Sequence, residues 1–184
     1  MSPQRAPRRV VLGITGSIAA YKSAELVRLL SRQGVEVRCA LSESARHFVA
    51  PLTLAVLSRH PVAQNLHDPS LWDMAHLSLA GWAEMILIAP ATADFIARLA
   101  SGRAEGLLDS LVLSARVPIV VCPAMDCEMW EHKATQANVA RLKDLGYHLW
   151  GPERGELASG KKGWGRFMEP ADIARKVGQW RLKG

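Results

Sequence analysis

This sequence is poor in cysteine and aromatic residues and has no long apolar run. Its three cysteines, Cys39, Cys122 and Cys127, fit neither a disulfide framework nor the paired spacing of a zinc site. Cys39 and Cys122 lie in strand-like apolar runs and read as core residues. No apolar run approaches the roughly 20 residues needed to span a bilayer, so no membrane partner is expected. The segment 1–9 is polar and basic. The apolar stretch after it is broken by Gly13, Thr15, Gly16 and Ser17, which makes a poor secretory signal, and a cytoplasmic protein is the expectation. With three Phe, two Tyr and no helix-turn-helix, zinc-finger or ribonucleoprotein motif, only the formal charge of +6 points toward nucleic acid. Part of that excess comes from Arg5, Arg8 and Arg9, and more from Lys161, Lys162 and Arg166. It serves an acidic small molecule or solubility equally well, and no nucleic-acid partner is expected.

What is present is a globular composition. The 184 residues are 49% hydrophobic and 22% charged, enough for one domain spanning 1–184, with a flexible basic leader over 1–8. Periodicity alternates between strand and helix. Strands are expected over 9–14, 36–41, 85–89, 117–121 and 147–150, the third ending at Pro90 and the fourth stopped at Pro123. Helices are expected over 18–32, 51–57, 76–82, 93–100, 107–115, 135–145 and 171–182. The stretch 151–169 has no period and holds five glycines, so it reads as a long loop or flap. Strands alternating with helices imply an α/β fold: a parallel sheet covered by helices on both faces, with ligands beyond the carboxyl ends of its strands.

The unusual residues cluster at those ends. Gly13-x-x-Gly16-Ser17 joins a strand to a helix. Small residues there admit a phosphate to the helix N-terminus, although a plain structural turn fits equally. It is not the full dinucleotide fingerprint. Ser42 and Ser44 suit either a phosphate cup or helix capping. In Ala89-Pro90-Ala91-Thr92-Ala93-Asp94 the small residues leave room for a flat ring, and Thr92 and Asp94 offer polar contacts or cap the next helix. Phe48 suits a ring contact or the core. His76 has the chemistry of an acid/base group, or of a capping or half-buried histidine. His47, His60, His67, His132 and His148 have no comparable setting.

Several motifs together resemble one family. Gly13-Ile14-Thr15-Gly16-Ser17-Ile18-Ala19-Ala20-Tyr21-Lys22 resembles the N-terminal signature of the phosphopantothenoylcysteine decarboxylases, within the homo-oligomeric flavin-containing cysteine decarboxylases. Pro51-Leu52-Thr53-Leu54, the 76–82 helix and the Ala89 to Asp94 segment match as well. Pro123-Ala124-Met125-Asp126-x-x-Met129-Trp130 is similar to a Pro-Ala-Met-Asn-x-x-Met-Trp substrate motif. Gly155-x-Leu157-Ala158-Ser159-Gly160-x-x-Gly163-x-Gly165-Arg166 is similar to a substrate-clamp flap. The resemblance covers nearly all of 10–170. It implies a doubly wound, Rossmann-like or flavodoxin-like sheet, and assembly as trimers or multiples of trimers, with FMN at the protomer interface. It further implies decarboxylation of a small-molecule substrate carrying a cysteine carboxylate, phosphopantothenoylcysteine, to phosphopantetheine in coenzyme A biosynthesis. Carried onto this chain, His76 is the acid/base and Ser159 occupies the flap's catalytic position. Gly16, Ser17, Ile18, Ser42, Phe48, Ala91, Thr92, Ala93 and Asp94 contact FMN. Ala124, Asp126, Met129, Lys161 and Arg166 face substrate, the two cations suiting its phosphate. No metal is implied.

Two positions depart from the pattern. Asp126 replaces an asparagine that would hold the substrate carboxylate. An ionised aspartate only accepts hydrogen bonds, so Asp126 is either protonated or bound to another group. Ser159 replaces a cysteine that donates a proton, and a hydroxyl is a far weaker acid than a thiol. Cys127, beside Asp126, is a candidate substitute thiol. Alternative functions are a peptide cysteine decarboxylase that stops at the enethiol, which suits the absent flap cysteine, and a non-catalytic flavin-binding regulatory subunit, which retention of His76 opposes. A prenylated-flavin synthase ranks lower, because its phosphate-binding turn differs. In many bacteria this type of domain is fused to a synthetase, a further possible partner.

Overall fold

The computed structural model describes residues 5–66 and 74–182. Five strands, β1 (Arg9–Ile14), β2 (Glu36–Leu41), β3 (Met85–Ala91), β4 (Ile119–Pro123) and β5 (His148–Leu149), form one parallel sheet in the order β2-β1-β3-β4-β5. Around it lie α1 (Lys22–Arg32), α2 (Pro51–Ser58), α3 (Ala75–Trp82), α4 (Ala93–Ser101), α5 (Leu107–Ser114), α6 (Cys127–Glu131), α7 (Lys133–Asp144) and α8 (Pro170–Gln179). A separate antiparallel hairpin joins β6 (Glu153–Glu156) to β7 (Lys162–Arg166).

The period-2 geometry of β1 sends its side chains to two cores. Val10, Leu12 and Ile14 pack with Leu26, Val27 and Leu30 of α1 and with Ile173 and Val177 of α8. Val11 turns to the other face, where Ile86, Ile88 and Val121 meet Ile96 of α4 and Leu108 and Leu111 of α5. Burial on both faces is why these strands read as continuous apolar runs instead of alternating ones. Each such side chain contributes about 1.5–3 kcal/mol when fully buried.

This strand order is the flavodoxin-like one, and the doubly wound fold expected from the sequence is the fold observed. The chain leaves β1 in one direction for β2 and later returns to β3 on the other side. The connections part there, and a crevice opens beyond the carboxyl ends of β1 and β3. At the opposite end of the sheet Glu84 gathers the leader. It accepts from Arg5 Nη2 at 2.7 Å, the Arg8 amide at 2.8 Å and Arg9 Nε at 3.2 Å.

Several boundaries differ from the sequence reading. The helix expected over 18–32 opens with a 3-10 turn over Ile18–Tyr21, because the Ser17 hydroxyl caps Ala19 and tightens the first turn. The third strand does not end at Pro90. It runs to Ala91, which pairs with Pro123 beyond a shift in register, and the fourth strand lies at 119–123 where 117–121 was expected. Proline removes a ladder donor without forbidding an extended backbone, so the ladder resumes past it. The 151–169 stretch is not a structureless loop. Apart from Trp164, its strands are built from charged residues and glycine, which carry no apolar alternation to read.

Candidate active site

The floor is made by the loops after β1, β2 and β3. Thr15 ties the first to the third: its hydroxyl donates to the Pro90 carbonyl at 2.8 Å and accepts from the Thr92 amide at 3.0 Å. Gly16 ties the first to the second. A Cβ there would lie 2.4 Å from Ser44 Oγ, so only glycine admits this approach. Ser42 and Ser44 place their hydroxyls 3.1 Å apart, and Ser42 also caps Ala45 at 3.2 Å. Thr92 caps α4 through the Phe95 amide at 3.3 Å.

Two cavities open on this floor and share Thr92. One, of about 630 Å³, is lined by Thr15, Ser42, Ser44, Asp94 and Asp109. The other, of about 830 Å³, is lined at its floor by Gly16, Ser17, Ile18, Thr92 and Ala93. Ala124, Asp126 and Met129 form its wall, and Ser159 and Arg166 of the flap its roof. The flap's root is fixed by backbone. The Met125 amide donates to the Gly165 carbonyl at 3.0 Å, and Gly165 takes a φ of 130° that lets its chain pass against Met125.

Asp126, Lys22 and Arg166, charged groups around the larger cavity, are each engaged. Ser159 Oγ donates to Asp126 Oδ2 at 2.6 Å, and the Glu128 amide donates to Asp126 Oδ1 at 3.2 Å. These two donors, the serine first, hold the Asp126 carboxyl below its ordinary range, so the residue is ionised near neutral pH. Lys22 and Arg166 both line the cavity and share Glu169, Lys22 at 3.1 Å and Arg166 through a short contact. Lys161 does not line it and donates to Glu128 at 2.6 Å. Cys127 does not line it either. Its side chain lies against Gly163, where a Cβ would meet it at 2.7 Å, and burial, followed by the neighbouring Asp126, pushes its thiol pKa up. It is poorly placed to stand in for a flap thiol.

Besides Lys161 and Cys127, three more sequence candidates lie apart from these cavities. Ala91 is buried within β3 and Phe48 is 41% exposed. His76 is half-buried on α3, lines neither cavity, and has a buried Nδ1 without a hydrogen-bond partner. His67 falls outside the described residues. Thr15, Lys22 and Glu169 were missed as site residues. The first two stand inside the N-terminal motif, but nothing in their spacing distinguishes a strut or cavity cation from a surface residue. Among the described residues, no group of three or more His, Cys, Asp or Glu side chains is arranged to hold a metal.

Residues 2–182 match the family model described as Flavoprotein. The Coenzyme A biosynthesis bifunctional protein CoaBC of Vibrio vulnificus is 46% identical over 169 residues, covering 91% of this chain and 42% of that protein. This chain thus spans less than half the length of the curated relatives it matches. Among solved structures, a PPC decarboxylase mutant complexed with pantothenoylaminoethenethiol superposes with a TM-score of 0.82 at 32% identity, covering 94% of this chain and 97% of that one. The FMN binding protein AtHal3 gives 0.79 at 30% identity, covering 94% and 95%.

Proposed function

On the premise that this chain belongs to the Flavoprotein family, as the match over residues 2–182 shows, we propose that it is the FMN-dependent decarboxylase that converts phosphopantothenoylcysteine to phosphopantetheine in coenzyme A biosynthesis. The observation that carries this reading is the meeting in one cavity of the Gly16 to Ile18 turn, the Thr92 loop, the Asp126 to Met129 segment and the flap. Relatives point the same way: CoaBC is a coenzyme A biosynthesis protein, and a PPC decarboxylase shares the fold.

The residues fit FMN. Gly16 keeps the cradle open where a Cβ would close it, and Ser17, Ser42 and Ser44 surround it with hydroxyl donors for a phosphate. Thr92 borders both cavities, Ala93 the larger and Asp94 the smaller, and all three are small or polar groups suited to a flat ring. Bound there, FMN supplies the two-electron oxidation that makes the cysteine side chain an electron sink for loss of carbon dioxide. The chain's own residues orient and enclose the substrate. Ala124 and Met129 pack along it, Arg166 with Lys22 receives its anionic end, and Ser159 closes over the reacting end. His76 serves as acid/base.

In one chain His76 stands outside the cavity, so the reading includes a homo-oligomer, a trimer or multiple of trimers, in which the active site is completed between protomers. Exposed apolar residues support this: Phe48 ahead of α2, Leu52 and Val56 on α2, Leu77 on α3 and Leu113 on α5. Relatives named as bifunctional support a synthetase partner, fused or separate. No helix among the described residues is long and apolar enough to cross a membrane. A cytoplasmic location is part of the proposal and is supported by relatives named as coenzyme A biosynthesis proteins.

The test is anaerobic mixing of the flavin-loaded protein with phosphopantothenoylcysteine, following product mass and flavin absorbance. Loss of carbon dioxide with flavin returned to its oxidised form is the expected result. A product two hydrogens lighter, with flavin left reduced, would move the assignment to an enethiol-forming peptide decarboxylase. Absence of any turnover would leave a non-catalytic flavin-binding subunit.

A further inference from the structure

Asp126 and Ser159 come from segments 33 positions apart, yet Ser159 Oγ lies 2.6 Å from Asp126 Oδ2. The direction of that bond is fixed by valence. An ionised carboxylate has no hydrogen to give, so the serine's single hydrogen goes to Asp126. The other carboxylate oxygen accepts the Glu128 amide at 3.2 Å, which anchors Asp126 to the first turn of α6. Both oxygens are engaged by the protein itself, and the residue repels a substrate carboxylate instead of holding it. Beside this pair, Lys161 donates to Glu128 at 2.6 Å and joins the same flap tip to the same helix start. The flap's root needs neither contact, because backbone bonding to Met125 fixes it.

We propose that Asp126 is a positioning residue acting through Ser159: it takes the serine's hydrogen, latches the flap tip over the cavity, and leaves Ser159 to meet substrate as a hydrogen-bond acceptor, not as the proton donor. Where the family pattern has an amide and a thiol with separate tasks, this chain has a coupled carboxylate and hydroxyl with one shared task. The inference rests on the proposed decarboxylation only for the reaction it serves. The latch itself is a property of the chain.

The first test reads the latch without activity. FMN-loaded wild type, Asp126→Ala, Ser159→Ala and the double variant are exposed to trypsin, and cleavage after Lys161 and Lys162 is timed by mass spectrometry. Each single variant is expected to be cut roughly three- to fivefold faster, and the double variant no faster than the faster single. Asp126→Asn, which keeps an acceptor oxygen, falls between wild type and Asp126→Ala. Wild-type rates in either alanine variant, or effects that multiply in the double, would overturn the latch. The second test uses phosphopantothenoylcysteine. Ser159→Ala is expected to raise KM several-fold while the ratio of saturated product to enethiol stays that of wild type. A shift toward enethiol would make Ser159 the proton donor and overturn the assignment. If wild type itself releases no carbon dioxide, the functional reading fails and the trypsin comparison alone decides the latch.

Discussion

The floor and the roof of the cavity are built on different principles. Under the floor, β1 and β3 are buried almost throughout and flanked by two apolar cores. The roof is a two-stranded hairpin whose residues are mostly exposed or half-exposed, tied down by Ser159, Lys161 and Arg166 and by close backbone passages at its root. Close packing in the floor allows one arrangement only, which suits groups that must hold a flat cofactor. Side-chain pairs in water are individually weak, which suits a part that must let substrate enter and product leave. Stability therefore belongs to the floor and closure to the roof, and substitutions separate the two.

The largest effect is expected at Leu87, fully buried in the middle of β3. Leu87→Ala should lower the unfolding free energy by about 2–5 kcal/mol, measured by urea titration. A cost below about 1 kcal/mol would mean that the sheet is not the stability centre. Next comes Gly165, where an added Cβ would lie 2.2 Å from the Met125 carbonyl oxygen at a φ of 130°. Gly165→Ala should lift the flap root and lower kcat/KM by about ten- to a hundredfold. Its unfolding free energy should fall by about 1–2 kcal/mol, less than at Leu87, because the flap root can lift away from the clash. Equal losses of stability at Leu87 and Gly165 would erase the distinction between floor and roof.

The same division explains what could be read from the sequence. Strand 9–14 was legible to the residue because burial on both faces leaves an unbroken apolar run, and 36–41 was legible too, although the half-buried Arg38 interrupts its apolar residues. The loops after β1 and β3 were legible as candidate sites because small residues at strand ends are rare unless something fits against them. The hairpin was not legible. Its order comes from glycines meeting distant backbone and from charges meeting across the chain, neither of which leaves a period. The Asp126 and Ser159 departures appeared as two separate puzzles, and only the fold brings the two residues to 2.6 Å. His76 was singled out by chemistry, yet it lies outside both cavities of the chain, a placement that spacing does not encode.

A smaller effect is expected at the end of the sheet remote from the site. Donors led by Arg5 push the Glu84 carboxyl down to about 2 from an ordinary 4.5. A carboxylate lowered in this way stabilises the fold fully above its unfolded value and loses that contribution as pH falls through the folded one. Glu84→Gln should cost about 1–2 kcal/mol at neutral pH, allowing for solvent around Arg5 and Arg9. The difference from wild type should shrink between about pH 4.5 and pH 2, followed by thermal melts across that range. Catalysis at neutral pH should not change, because no group of the cavity touches Glu84. A gap that persisted to pH 2 would remove the carboxylate as the source of the stabilisation.

The smallest effect tests the roof's outer contact. Glu128 and Lys161 are largely exposed, with side chains 77% and 49% accessible. Water and salt screen such a pair, so Glu128→Gln should raise trypsin cleavage of the flap by less than about twofold. Ser159 and Asp126 meet at the cavity wall, where the serine's hydrogen has one acceptor, and their loss should exceed that of the outer pair. Raising salt to about 1 M should abolish the effect of Glu128→Gln while leaving most of the effect of Ser159→Ala, since screening acts on the ion pair far more than on a short hydrogen bond. If Glu128→Gln instead opened the flap as much as Ser159→Ala, the closing force would be charge at the rim, and the roof would be an electrostatic lid in place of a hydrogen-bonded latch.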